Sequence, residues 1–115
     1  MSAPCKFRRE WLLGIDVGIW NGDIISGGVE YRAEARHVVR PEMYEDETYP
    51  LLSGIDPYGD TIFNSLQLPH LILELERRLE VMDAGPKSRS VEGVLALARE
   101  CLASSPHTYL VFVGD

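Results

Sequence analysis

Cysteine is scarce in this chain. Only Cys5 and Cys101 are present, with no C-x-x-C pair, so neither a disulfide framework nor a zinc ribbon is expected. Two free thiols in a reducing compartment are the expected state. Long apolar runs are missing as well. The longest candidate, "WLLGIDVGIW" at residues 11–20, is broken by Asp16 and is far too short to span a bilayer. Lys6, Arg8 and Arg9 precede it, but no A-x-A-like cleavage site follows, so a signal peptide is not expected. There is no low-complexity tract and no internal repeat. The motifs of nucleophile elbows, G-x-G-x-x-G and P-loops are all absent. The three histidines, His37, His70 and His107, are too far apart for a local metal site of the H-x-x-x-H kind. Lys and Arg are missing from residues 41–60 altogether.

That last gap shapes the charge. The net charge is −7, and residues 41–60 contribute −6 of it through Glu42, Glu45, Asp46, Glu47, Asp56 and Asp60. The remainder holds 12 acids against 11 bases and is nearly neutral. Direct binding to nucleic acid needs a basic surface that displaces counterions, so the charge argues against it. A local acidic face suits a basic partner or a cation. The 115 residues, 45% hydrophobic and 25% charged, suit one globular domain with its own core.

Residues 1–10 read as a mobile N-terminal arm, and residues 11–115 as a single domain. The apolar run 11–20 reads as a strand, with Gly14 and Gly18 marking bends. "NGD" at residues 21–23 and "SGG" at residues 26–28 are turn signals. From Val29 to Arg40, Val29, Tyr31, Ala33, Ala35, His37 and Val39 share one parity and the charges the other, with Val38 the exception. That period of two predicts a strand with one buried face, ended by Pro41. "YPLL" at residues 49–52 reads as a short edge strand. Leu68, Leu71, Ile72, Leu75, Leu79 and Met82 predict an amphipathic helix with Pro69 in its first turn and Glu74 among the residues of its wet face. Gly85 and Pro86 end it, with Gly85 as a left-handed cap. A second helix, capped by Ser88 or Ser90, buries Val91, Val94, Leu95, Ala98, Cys101 and Leu102. "YLVFV" at residues 109–113 is apolar on both parities, as in a central strand. The expected fold class is α+β: an antiparallel sheet of about four strands, two helices on one face, and the last strand in the middle.

The stretch "GIDPYGDTIFNSLQLP" at residues 54–69 is the most distinctive. Asp56 before Pro57 can bond backbone amides ahead of it, Gly59 can supply a positive φ, and Asp60 can cap a short helical turn. Asp56 and Asp60 could also ligate a hard cation, but the EF-hand spacing is absent and two carboxylates rarely suffice. "DPYGDTIFN", then "LP" opening a helix, then a closing "YLVFVGD" resembles a group of small bacterial proteins of unassigned function. The likeness covers about half of the chain, from Asp56 to Asp115, and implies a compact bacterial cytoplasmic protein. In size and acidity the chain is also similar to the immunity proteins that neutralise secreted toxins. Neither resemblance assigns a functional residue.

The acidic segment carries Tyr44 and Tyr49 around Glu45, Asp46 and Glu47. Tyrosine is enriched at interface hot spots, and carboxylates steer basic partners. The expected contact surface is therefore Tyr44, Glu45, Asp46, Glu47 and Tyr49, extended by Asp56, Tyr58 and Asp60. The expected function is that of a small cytoplasmic binding protein, an immunity-type inhibitor that occludes a toxin with a basic surface. No catalytic residue, cofactor, metal ligand or membrane contact is expected. Two alternatives stay open: a metal-dependent or acid–base enzyme using Asp56, Asp60 and a histidine, and a structural subunit of a larger assembly.

Overall fold

The computed structural model describes residues 15–22, 29–35, 38 and 48–114. The expected arm at residues 1–10 lies outside them. Four strands form one antiparallel sheet: β1 (Ile15–Asn21), β2 (Glu30–Glu34), β3 (Asp60–Phe63) and β4 (Thr108–Gly114). Their order is β2-β1-β4-β3, so the last strand lies inside the sheet, as its two-sided apolar sequence predicts. Two helices, α1 (Leu68–Glu80) and α2 (Pro86–Ala103), lie between β3 and β4 in sequence. Helix α2 packs on β1, β2 and β4, and α1 packs on α2. The fold is α+β with both helices on one side of the sheet.

One core joins these layers. Val17 of β1, Phe63 of β3, and Leu110 and Phe112 of β4 meet Leu71 and Leu75 of α1 and Val91, Val94 and Ala98 of α2. Phe63 and Phe112 pack edge to face with centroids 5.6 Å apart, a favoured geometry for aromatic quadrupoles. Phe112 is fully buried, which stabilises the fold by about 2–3 kcal/mol on its own. The stripe of α2 differs in two positions from the sequence expectation: Leu97 is buried, and Leu102 is 38% exposed.

Local chemistry sets the element ends. Asn64 and Gln67 form a reciprocal cap at the entry to α1. Asn64 Oδ1 accepts the amides of Leu66 and Gln67 at 3.0 Å, and Gln67 Oε1 accepts the amide of Asn64 at 3.0 Å. Gly85 is not a left-handed cap on α1. Its φ of 162° is extended backbone, and it stands at the start of α2, where Ser88 Oγ accepts its amide at 2.9 Å. "YPLL" forms no strand. Tyr49 and Pro50 lead instead into a short 3-10 helix, Leu52–Gly54. The strand expected to run to Arg40 stops at Glu34, because the amide of Val38 turns back to the carbonyl of Ala35 at 2.9 Å.

Glu74 is not on a wet face. It is 4% exposed, and its carboxylate accepts the amides of Leu51 (3.0 and 3.1 Å) and Leu52 (2.9 Å). Those amides open the 3-10 helix, so a helix end that would leave buried donors unpaired is closed from α1.

Candidate protein-binding face

The side of the sheet away from the helices is built by register. Asp16, Gly18 and Trp20 of β1 stand opposite Val113, Val111 and Tyr109 of β4. On β3, Asp60 pairs with Val113 and Ile62 with Val111. On β2, Tyr31 pairs with Gly18. Paired residues of an antiparallel ladder share a face. Three rows result: Asp16, Val113 and Asp60; Tyr31, Gly18, Val111 and Ile62; and Trp20 beside Tyr109. Among the described residues no helix covers these rows.

A bulge places Tyr31 there. Val17 pairs with Ala33 and Gly18 with Tyr31, so Arg32 is the extra residue on β2. Tyr31 and Ala33 thus take opposite faces, although simple alternation put both on the buried one. Bulges re-aim side chains in this way. Ala33 turns to the core, Tyr31 stands 49% exposed on the open side, and Arg32 reaches Glu30 at 3.3 Å and Glu100 on α2. The Glu100 contact raises the Arg32 guanidinium above its ordinary value, chiefly by hydrogen bonding.

The rows enclose a shallow groove of about 290 Å³. Trp20, Tyr31 and Val29 border it on one side and Ile62 and Asp60 on the other, with Val111 and Val113 between. Val111 is only 4% exposed, while Ile62 is 51% exposed. Trp20 and Tyr109 lie with ring centroids 5.3 Å apart. Asp16 and Asp60 are exposed, and neither carboxylate has a hydrogen bond or ion pair among the described residues.

The DPYGD turn fixes Asp60 at this site. Asp56 Oδ1 accepts the amide of Tyr58 at 2.8 Å, and the amide of Asp56 donates to Thr61 Oγ1 at 2.9 Å. These bonds make an Asx turn, as the sequence suggests. Gly59 supplies no positive φ. A Cβ there would instead stand 2.7 Å from the Asp56 carboxylate. The turn is then pressed onto β4: the amide of Gly114 donates to the carbonyl of Gly59 at 2.8 Å, and a Cβ on Gly114 would stand 2.2 Å from the carbonyl oxygen of Pro57. Asp60 does not cap a helical turn, since "DTIF" is strand β3.

The expected contact residues therefore divide. Tyr44, Glu45, Asp46 and Glu47 lie outside the described residues. Tyr49 is 8% exposed and belongs to the buried core, so the contact role expected for it is corrected: it has little surface to offer a partner. The Asp56 carboxylate serves the turn. Tyr58 is 47% exposed at the turn, and Asp60 borders the groove. Sequence reasoning did not select Trp20, Tyr31, Ile62 and Tyr109. The alternation of residues 29–40 hid Tyr31, because a bulge reverses the parity and leaves no composition signal. Asp16, which breaks the apolar run 11–20, was not among the expected contact residues either.

A second concavity of about 410 Å³ lies between residues 48–51 and α1, bordered by Leu66, His70, Leu73, Glu74 and Arg77. Its buried carboxylate is satisfied by the backbone, as above. Among the described residues no group of three His, Cys, Asp or Glu side chains could hold a metal ion. No helix among them is long and apolar enough to cross a membrane. Comparison with family models, with curated proteins and with solved structures finds no match to this chain.

Proposed function

We propose that this chain is a small acidic binding protein that acts by occlusion, an inhibitor of the immunity type working in a bacterial cytoplasm against a toxin with a basic surface. The observation that carries the reading is a sheet face that no helix covers among the described residues, where aromatic and aliphatic side chains stand beside two carboxylates with no partner among those residues. Aromatic residues at the centre of a contact and charges at its edge are the usual anatomy of a protein interface. The partner meets Trp20, Tyr31, Ile62 and Tyr109 with apolar surface, and meets Asp16 and Asp60 with basic groups. Tyr58 extends this face beside Asp60. The acidic residues 42–47 add negative charge that steers a basic partner from a distance.

Co-expression with the protein encoded beside its gene tests this. The expected result is a 1:1 complex in which the partner's activity is lost. Association should slow by about tenfold for Asp16→Lys with Asp60→Lys, and slow likewise for the native chain at high salt. A complex that leaves the partner fully active would overturn inhibition. A complex indifferent to both charge reversals would overturn the choice of face.

A further inference from the structure

We infer that the groove on the open sheet face is a slot for one arginine side chain of the partner. The inference rests on the proposed binding face and names the group that this face recognises. Three features of the groove converge on a guanidinium. Trp20 and Tyr31 supply aromatic surface on one side, and a planar cation is attracted to the negative face of such rings. Asp60 borders the opposite side with a carboxylate that has no partner among the described residues, and carboxylates bind guanidinium through paired N–H donors. Val29, Val111 and Val113 line the rest, and an arginine's three methylenes are suited to such apolar surface. Asp16, on the row of Asp60, keeps the local field negative. Lysine matches less well, because its compact, strongly hydrated ammonium neither stacks nor forks. A wholly apolar side chain would leave Asp60 desolvated and unpaired, which is unfavourable.

The slot also explains two local features. Gly18 stands directly opposite both Tyr31 and Val111, and the space its side chain would take is filled by Val29 Cγ1, one of the apolar groups that line the groove. The bulge at Arg32 brings Tyr31 onto this face, where an unbroken ladder would have turned it toward the core.

The test is a titration of the full ¹⁵N-labelled chain with three probes: N-acetyl-arginine amide, its neutral isostere N-acetyl-citrulline amide, and N-acetyl-leucine amide. The Trp20 indole signal, assigned with Trp20→Phe, reports the groove. The arginine probe should shift it saturably, with Kd on the order of 10 mM or tighter. The citrulline and leucine probes should be at least about fivefold weaker, and Asp60→Asn should weaken the arginine probe by a similar factor while signals remote from the groove stay in place. An equal response to citrulline or leucine, no saturable shift, or indifference to Asp60→Asn would each overturn the slot. Failure here and failure of the proposed function are separable. A partner that is inhibited through this face, but remains bound when each of its interfacial arginines is replaced by glutamine, sinks only the slot. A chain that binds the arginine probe but inhibits no partner sinks only the inhibitor reading.

Discussion

Tyr31 stands opposite Gly18 across the β1–β2 ladder, while Ala33, two residues later, stands opposite Val17, one residue earlier. The single extra residue turns an aromatic ring onto the open face and an alanine into the core. It also brings the backbone of β2 close to Gly18. A Cβ there would lie 2.5 Å from the carbonyl oxygen of Glu30 and 2.6 Å from Val29 Cγ1. Gly18→Ala should therefore destabilise the fold by about 1–3 kcal/mol, the range for overpacking against atoms that cannot move aside. Urea unfolding measures it. The control is Gly93→Ala in α2, where a Cβ meets nothing within 4 Å. That change should raise stability by up to about 1 kcal/mol through helix propensity alone.

Gly114 offers a second, independent contrast. Its missing side chain lets the turn at Pro57 approach, since a Cβ would lie 2.2 Å from one backbone oxygen and 2.9 Å from another. Gly54, three residues before Pro57, has open space around it. Gly114→Ala should cost about 1–3 kcal/mol and loosen the turn, seen as faster amide exchange at Tyr58 and Asp60. Gly54→Ala should stay within about 0.5 kcal/mol of the native chain. Equal effects of the two substitutions would contradict the close approach.

Much of the fold is legible in the sequence because its signals are periodic. The i, i+3, i+4 spacing of Leu68, Leu71, Ile72 and Leu75 marks α1 and its buried side, and the doubly apolar "YLVFV" marks the central strand. Three of the readings that miss share one cause, which is a contact made across the fold rather than along the chain. Glu74 looks like any helix carboxylate until the amides of Leu51 and Leu52 arrive beside it. Tyr49 looks like a surface tyrosine in an acidic run until the chain around it folds inward. Tyr31 and Ala33 look alike until the bulge separates them. The candidate face was legible only at Asp60 and Tyr58, where turn chemistry is local. Its aromatic half is assembled by register from strands remote in sequence.

Glu74 provides a test of the buried carboxylate. Glu74→Leu fills similar space but leaves the amides of Leu51 and Leu52 without an acceptor in a buried setting. Leaving a buried donor unpaired costs about 1–3 kcal/mol, so the variant should lose at least that much stability. Glu74→Gln keeps one acceptor oxygen and should lose less. Thermal unfolding ranks the three chains. Amide exchange at Leu51 and Leu52 should rise most in the leucine variant, which distinguishes a lost acceptor from a general loss of packing.

Cys101 links packing to pH. It is 1% exposed on α2, and burial pushes its thiol up to about 11 from an ordinary 9.0, with the charge of Glu100 adding to the rise. The folded state thus disfavours the thiolate, and two consequences follow. First, the thiolate is the reactive species, so in a Cys5→Ser background Cys101 should react with a thiol reagent far more slowly in the native chain than in urea. Second, the unfolded thiol ionises first as pH rises. The stabilising contribution of the buried neutral thiol is complete below about pH 9 and is lost progressively as the pH climbs through about 11. Other groups titrate in that range, so the informative quantity is a difference. Between pH 8 and pH 11 the Cys5→Ser chain should lose stability more steeply than the same chain carrying Cys101→Ala. Parallel losses in the two would mean that the thiol ionises equally easily folded and unfolded, contrary to its burial between α2 and the sheet.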